Sequence, residues 1–153
     1  MTQENKELLL KDLWARIPYE VVGKCEIDAS YDTSFDTKFQ THKFDAVLYC
    51  IKEDLLFVTH LIEDTDEQNF ANEEVVGGID ILDFTPYLFP LSVMTEEQEI
   101  EYDATFTTII YEDGRKDSAM TYRSFDWLNK NHFDYRGLIE KGLAIDATDL
   151  NVY

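Results

Sequence analysis

Among the side chains that could bind a ligand or catalyse a reaction, the carboxylates are the most unevenly distributed, because they are concentrated in the middle third of this sequence. Residues 53–114 contain 17 Asp and Glu and no Lys or Arg, whereas the whole chain has 32 acidic and 13 basic residues. We call residues 53–114 the acidic segment; it supplies −17 of the net charge of −19. Unneutralised carboxylates can attract a cationic partner, bind a metal ion or transfer protons.

The first hypothesis is that the acidic segment forms a binding face for a basic partner protein. The candidate binding residues are Glu63, Asp64, Asp66, Glu67, Glu73, Glu74, Glu96, Glu97, Glu99, Glu101 and Asp103. Complementary fields of this kind raise association rates and select partners. The most specific form of the hypothesis is mimicry of a nucleic acid in the groove of a nucleic-acid-binding protein. The alternative is a solvated face that only keeps the protein soluble.

Metal binding is the second hypothesis, and the sequence supports it poorly. Residues 64–75 are similar to a calcium loop, but the sixth position is Asn69 instead of Gly and the twelfth is Val75 instead of Glu. Neither Cys-x-x-Cys nor His-Glu-x-x-His occurs, so zinc is unsupported as well. We therefore predict no metal and no cofactor.

Catalysis is the third hypothesis. Carboxylate pairs are uninformative in a chain with 32 acidic residues, because some pair is always available. The histidines, His42, His60 and His132, lie far apart in the sequence, and His132 beside Phe133 is the best single candidate. We favour a structural role for it and predict no catalytic residue and no enzyme activity. The alternative function is a small ligand-binding module or enzyme with a pocket that the sequence does not announce.

Composition excludes several classes of partner. A net charge of −19 argues against direct binding of nucleic acid, because neutralising phosphates requires Lys and Arg. No apolar run approaches the roughly 18 residues that a membrane span needs, and the N-terminal residues lack the basic region of a signal peptide. Cys25 and Cys50 lie in apolar stretches, which predicts reduced, buried thiols in a cytoplasmic protein.

The elements that must position these side chains begin with a helix. Thr2 can cap a helix to about Arg16, with an apolar stripe at three- and four-residue spacings that consists of Leu9, Leu10, Leu13, Trp14 and Ile17. Asp12 lies off this stripe. A capping box at 95–98 opens a short helix to about Asp103, and Ser124 is predicted to cap a last helix.

Between these helices the pattern is that of short strands. Strands are predicted at 24–29, 44–51, 55–62, 79–84, 104–111 and 116–123, with a loop at 30–36. A hairpin joins the second and third, and Asp113-Gly114 predicts another. The aromatic side chains expected in the core are Trp14, Phe44, Tyr49, Phe57, Phe106 and Trp127.

Taken together, these elements predict one domain, residues 1–153, of the α+β class. Short hairpin connections imply an antiparallel sheet, because parallel strands need long crossovers. We expect this sheet of hairpins to be covered by an N-terminal helix and a C-terminal helix. The tail, 134–153, is expected to pack back on the sheet.

Three regions of the sequence are familiar together. They are residues 7–19 (ELLLKDLWARIPY), 83–97 (DFTPYLFPLSVMTEE) and 124–139 (SFDWLNKNHFDYRGLI) with 142–145 (GLAI), about a third of the chain. They resemble a widespread family of small uncharacterised proteins from Bacteroides and related gut bacteria, their phages and mobile elements. The resemblance implies no activity and no catalytic residue, since none is established for that family.

Overall fold

The computed structural model describes residues 1–33, 36–53, 55–60 and 75–153. Its helices are α1 (Gln3–Arg16), α2 (Glu96–Asp103) and α3 (Tyr122–Lys130). Its strands are β1 (Val22–Thr33), β2 (Asp36–Lys52), β3 (Leu55–His60), β4 (Val75–Asp80), β5 (Phe84–Leu88), β6 (Thr107–Ile110), β7 (Lys116–Ala119) and β8 (Ile145–Asp146). The predicted α+β class is confirmed.

The main sheet has six strands in the order β4-β3-β2-β1-β5-β8. Neighbouring strands are antiparallel except β5 and β8, which are parallel. Strands β6 and β7 form a separate two-stranded hairpin. Its turn contains Gly114 at a φ of 81°, a left-handed conformation that glycine adopts without steric cost. The hairpin predicted from Asp113-Gly114 is therefore confirmed.

The predicted loop at 30–36 is wrong for residues 30–33 and 36, which lie in strands, and residues 34 and 35 lie outside the described residues. Strand β1 continues to Thr33 and β2 begins at Asp36, and the paired register extends to Thr33 opposite Asp36. The polar composition of this stretch suggested a loop. Pairing with a neighbouring strand instead gives the backbone N–H and C=O groups their partners, whatever the side chains are.

Helix α1 covers the main sheet with one apolar face. The Thr2 hydroxyl accepts a hydrogen bond from Asn5 N–H at 3.2 Å and caps the helix as predicted. Leu9 and Leu13 are buried in the core cluster, where each contributes roughly 1.5–3 kcal/mol by leaving water. Trp14, predicted in the core, is 51% exposed, because the buried face of α1 also contains Asp12.

Tyr49 was also predicted in the core and is 68% exposed. The register between β2 and β3 shifts between Leu48 and Cys50, so a β-bulge interrupts the alternation of buried and exposed positions. Ala46, Leu48 and Ile51 are buried on either side of it. A bulge is invisible to a pattern that assumes strict alternation.

The chain beyond α3 packs back on the sheet, as predicted. Leu138, Leu143 and Ala144 belong to the core cluster. Strand β8 then pairs with β5, with Tyr87 opposite Ile145. The C-terminal segment therefore forms one edge of the main sheet and lies close to the end of α3.

Candidate functional site

The predicted binding residues fall into two groups in the structure. One group lies outside the described residues and consists of Glu63, Asp64, Asp66, Glu67, Glu73 and Glu74. The other group lies on α2, where every member is exposed, and consists of Glu96, Glu97, Glu99, Glu101 and Asp103. We call this second group the acidic helix face.

Helix α2 is held in place by its own cap and by one aromatic side chain. The Thr95 hydroxyl accepts from Gln98 N–H at 3.2 Å, and Gln98 Oε1 accepts from Thr95 N–H at 2.9 Å, so the predicted capping box is confirmed. Gln98 and Tyr102, one turn apart, are the half-buried positions of the helix. The Tyr102 ring packs on Trp127 of α3, with 5.5 Å between centroids. All other positions of α2 are exposed.

The acidic helix face has no basic partner within the described part of the chain. The ion pairs there involve other carboxylates, and Glu101 only accepts a hydrogen bond from Trp127 Nε1 at 3.4 Å. The like-charge pairs Glu97/Glu101 and Glu99/Asp103 each disfavour the helix by about 0.2–0.5 kcal/mol. Glu97 recovers part of this in the first turn, where the helix end is positive. The repulsion between the carboxylates of α2 is thus not offset by any Lys or Arg in the described residues.

Exposed apolar side chains accompany these carboxylates. Ile100, on α2 itself, is 71% exposed, and Ile110 on the β6–β7 hairpin is 67% exposed. The Tyr102 ring packs edge-on against Phe106, and its hydroxyl donates to Met120 Sδ at 3.7 Å. Tyr102 therefore fastens α2 to the segments that lead into and out of the hairpin, so the apolar and acidic groups belong to one packed unit.

A cleft of about 520 Å³ opens beside α2. It is lined by Phe89, Val93, Gln98, Lys130, Asn131, His132, Phe133, Thr148 and Tyr153. Its volume falls within the range of about 300–1,000 Å³ that is typical of small-molecule sites. We call it the His132 cleft. No motif in the sequence indicates this cleft.

His132 enters the cleft from the end of α3. The His132 N–H donates to Asn129 O at 3.2 Å and the Phe133 N–H donates to Leu128 O at 3.0 Å, which is the Schellman pattern of a helix C-terminus. That pattern places His132 at a φ of 57°, where glycine is usual and another residue costs about 1–2 kcal/mol. The residue after the helix cap, which is usually a glycine, is thus a histidine here, and its side chain projects from this position.

The imidazole of His132 is buried against a fixed ring. It is stacked on Tyr153, with 3.7 Å between ring centroids. The Tyr153 hydroxyl donates to Tyr87 O at 2.9 Å and accepts from Val22 N–H at 3.3 Å, which ties the ring to the sheet. Burial raises the pKa of Tyr153 to about 12, so its hydroxyl remains a donor at neutral pH.

The protonation state of His132 follows from the same packing. Burial, and next the positive charge of Arg16, lower the pKa of His132 to about 4. The ring is therefore neutral at pH 7. Its Nδ1 is buried and, in the described residues, has no hydrogen-bond partner. A packed, neutral ring fits the structural role expected from the sequence, and it also forms part of the cleft wall.

A buried polar network supports the wall of the cleft from behind. Arg16 Nε donates to Asp12 Oδ2 at 2.7 Å, and Arg16 Nη2 donates to Phe133 O at 2.7 Å. Arg136 Nε adds a second cation to Asp12, at 3.0 Å. Asp12 and Arg16 are both fully buried. Sequence reasoning missed this network, although an Asp and an Arg four residues apart on a helix were a usable signal.

The cleft itself joins segments that are distant in the sequence. Phe89 directly follows β5, and Phe133 lies three residues beyond the end of α3. Phe133 is buried, Phe89 is half-buried, and both line the cleft. Lys130 and Thr148 carried no signal in the sequence, because neither belongs to a motif.

Two further features concern the metal ligands and the thiols of the described residues. They contain no group of three or more His, Cys, Asp or Glu that could hold a metal ion, and most of the calcium-loop-like stretch 64–75 lies outside them. Cys25 is buried and Cys50 is half-buried, and both are free thiols; full burial was predicted for both and holds for Cys25. Among the described residues, no helix has the length and apolar character that crossing a bilayer requires.

The chain was compared with protein-family models, with curated proteins and with solved structures. None of these three comparisons finds a match. Functional argument for this protein therefore rests on its own residues and geometry.

Proposed function

We propose that this protein is a non-catalytic interaction protein that binds a basic partner protein through the acidic helix face. The observation that supports the proposal is that every exposed position of α2 other than Ile100 carries a carboxylate. None of these carboxylates is paired with a Lys or Arg in the described residues. Such a one-sided field concentrates cationic surfaces near it and raises association rates about 10–10³-fold.

The exposed apolar groups describe the partner further. Ile100 lies within one turn of Glu96, Glu97 and Asp103 on the helix, so an apolar side chain is surrounded by carboxylates. Interfaces commonly combine an apolar centre with a polar rim. The partner we expect presents Lys and Arg around an apolar depression. In the more specific form of the proposal, that surface is the nucleic-acid groove of the partner.

We also propose that the protein acts in the cytoplasm. The support for this is the state of its cysteines, since Cys25 and Cys50 are free and disulfides are rare in reducing compartments. In the cytoplasm the protein would encounter basic proteins that bind nucleic acid.

The test compares two variants of equal net charge. The first, Glu97→Gln/Glu99→Gln/Asp103→Asn, neutralises part of the acidic helix face. The second, the control, is Glu4→Gln/Glu140→Gln/Asp149→Asn, which makes the same chemical changes at exposed positions outside α2. Glu4 matches Glu97 in particular, because each lies in the first turn of its helix.

Each immobilised protein is exposed to a bacterial cell extract at about 0.1 M and about 1 M salt, between which the Debye length falls from about 10 Å to about 3 Å. We expect one basic protein to be retained by the wild type and the control but not by the α2 variant, and to be released at high salt. The retained protein is then purified and its binding measured directly. Competition by duplex DNA would support nucleic-acid mimicry.

Equal retention by the two triple variants would overturn the proposal, because net charge alone would then explain the binding. The acidic helix face would in that case be a solvated surface.

A further inference from the structure

The His132 cleft has walls made of rings. Phe89 and Phe133 lie 6.2 Å apart between centroids, and Phe89 and Tyr153 lie 5.9 Å apart, both pairs being tilted. His132 continues this wall by stacking on Tyr153. Aromatic walls favour planar apolar ligands, because rings gain from stacked and edge-on contacts beyond the area they bury.

Lys130 is the one Lys or Arg among the described residues that line this cleft. Lys130 is exposed at the end of α3, and within the described residues no carboxylate lies within ion-pair distance of it. This is unexpected in a chain with a net charge of −19. An unpaired ammonium beside an apolar wall is suited to an anionic group on a ligand.

Gln98 supplies a second donor to the same cleft. Its Oε1 is occupied by the Thr95 N–H in the capping box, which fixes the orientation of the amide. The Nε2 group is therefore left as a hydrogen-bond donor, and no described residue accepts from it. The charged and amide donors of Lys130 and Gln98 both favour an acceptor-rich anion.

The acidic helix face opposes an anion at this cleft, because Gln98 belongs to the same helix. Solvent exposure decides between the two effects. None of the described residues that line the cleft is a carboxylate, and the carboxylates of α2 are exposed, so water weakens their repulsion of an anion in the cleft. A ligand inside the cleft would meet Lys130 at contact distance, so the local cation has the stronger effect.

The conformation of His132 is a second, independent indication that the cleft is a ligand site. A non-glycine residue at a φ of 57°, with a buried Nδ1 that has no partner in the described residues, stores strain and leaves a polar atom unsatisfied. Such outliers concentrate at ligand sites. Glycine would relieve the backbone strain but would remove the ring that continues the wall of the cleft.

We propose that the His132 cleft binds a small planar aromatic molecule that carries one anionic group, a carboxylate or a phosphate. Its ring lies against Phe89 and Phe133, and its anion is bound by Lys130 and Gln98. This site is separate from the interaction proposed for the acidic helix face, so either proposal can fail without the other.

The experiment uses three probes with the same ring and different charges: indole-3-acetate (anionic), tryptophol (neutral) and tryptamine (cationic). Each is titrated into the full chain, with affinity from calorimetry and location from the NMR shifts of His132 and Tyr153. We expect indole-3-acetate to bind most tightly and tryptamine most weakly. Adenosine 5′-monophosphate, titrated in the same way, distinguishes a phosphate ligand from a carboxylate ligand.

Two variants and a control sharpen the result. Lys130→Gln should weaken indole-3-acetate about fivefold to tenfold and leave tryptophol unchanged, whereas Lys11→Gln, the same change at an exposed position of α1, should alter neither. Val93→Trp places a ring in the cleft from its partly exposed rim. It should remove binding of both probes without lowering the melting temperature.

The proposal is overturned if tryptamine binds as tightly as indole-3-acetate, or if Lys130→Gln and Lys11→Gln have equal effects. It is also overturned if none of the four probes, at millimolar concentration, shifts the signals of His132 and Tyr153.

Discussion

The imidazole of His132 lies flat on the phenol ring of Tyr153, with 3.7 Å between the ring centroids and 15° between the ring planes. Since the Tyr153 hydroxyl is bonded to Tyr87 O and Val22 N–H, the stack connects the end of α3 to the main sheet. The wall of the cleft and the position of α3 therefore depend on the same contact.

This contact makes stability depend on pH. The pKa of His132 is about 4 in the folded protein and 6.5 when unperturbed. As the pH falls below 6.5 the unfolded chain binds a proton that the folded chain does not, so the free energy of unfolding decreases, by about 2 kcal/mol at about pH 5. His132→Asn removes this component while keeping a residue that tolerates positive φ.

Urea unfolding of the wild type and His132→Asn at about pH 7 and about pH 5 measures the effect. The advantage of the wild type over the variant should shrink by about 2 kcal/mol between these two pH values. An unchanged difference would mean that His132 is already as accessible to protons as in the unfolded chain.

The buried ion pair should be sensitive to loss of one partner. Arg16→Met leaves Phe133 O without its donor and Asp12 with Arg136 alone, and we expect a loss of about 3–5 kcal/mol in the free energy of unfolding. Arg115→Met, which breaks the exposed pair with Asp113, should have little effect.

The double variant Asp12→Asn/Arg16→Met completes the test of this pair. It should be more stable than the sum of its single variants implies, because the buried carboxylate that Arg16→Met leaves with Arg136 alone is gone. Additive losses would show that the two side chains act independently.

Gly23 in β1 is required by its neighbour. A Cβ at this position would lie 2.4 Å from Cζ of Phe84, whose ring is buried. Gly23→Ala should therefore lower the free energy of unfolding by about 1–3 kcal/mol through overpacking. In a Phe84→Leu background the same Gly23→Ala substitution should lower the free energy of unfolding by less, because the smaller side chain leaves room for the Cβ. A Gly23→Ala protein as stable as the wild type would contradict the close approach.

The two thiols should differ in reactivity. Burial, and next the charges of Asp45 and Asp83, raise the pKa of Cys25 to about 12, and the thiolate is the reactive form. Ellman's reagent should therefore modify half-buried Cys50 in the folded protein and Cys25 only after unfolding. The Cys50→Ser variant should show no fast reaction; a fast phase in it would place Cys25 within reach of solvent.

Much of the secondary structure was predictable because its signals are local. The Thr2 and Thr95 caps lie next to the helices they begin, and the turn at Gly114 requires only its own dihedral angles. The third cap shows the limit of this reasoning. Thr121 is the N-cap of α3 and the predicted cap, Ser124, is the N3 residue of its capping box, because either hydroxyl satisfies the sequence pattern.

Burial was less predictable, since it depends on side chains and strands that are distant in the sequence and pack against a residue only in the folded protein. Asp12 is polar and was placed off the apolar stripe, yet Arg16 and Arg136 make its full burial possible. Tyr49 is apolar enough for the core and is exposed by a bulge between β2 and β3.

The sequence by itself determined the α+β class, the ends of α1 and α2, and the exposure of the acidic helix face, because hydrogen bonding and periodicity within a few residues decide these features. The tertiary structure decided that Phe89, Lys130 and Tyr153 share a cleft. They meet only after β8 pairs with β5 and brings the C-terminal segment to the end of α3, and no spacing along the chain encodes that approach.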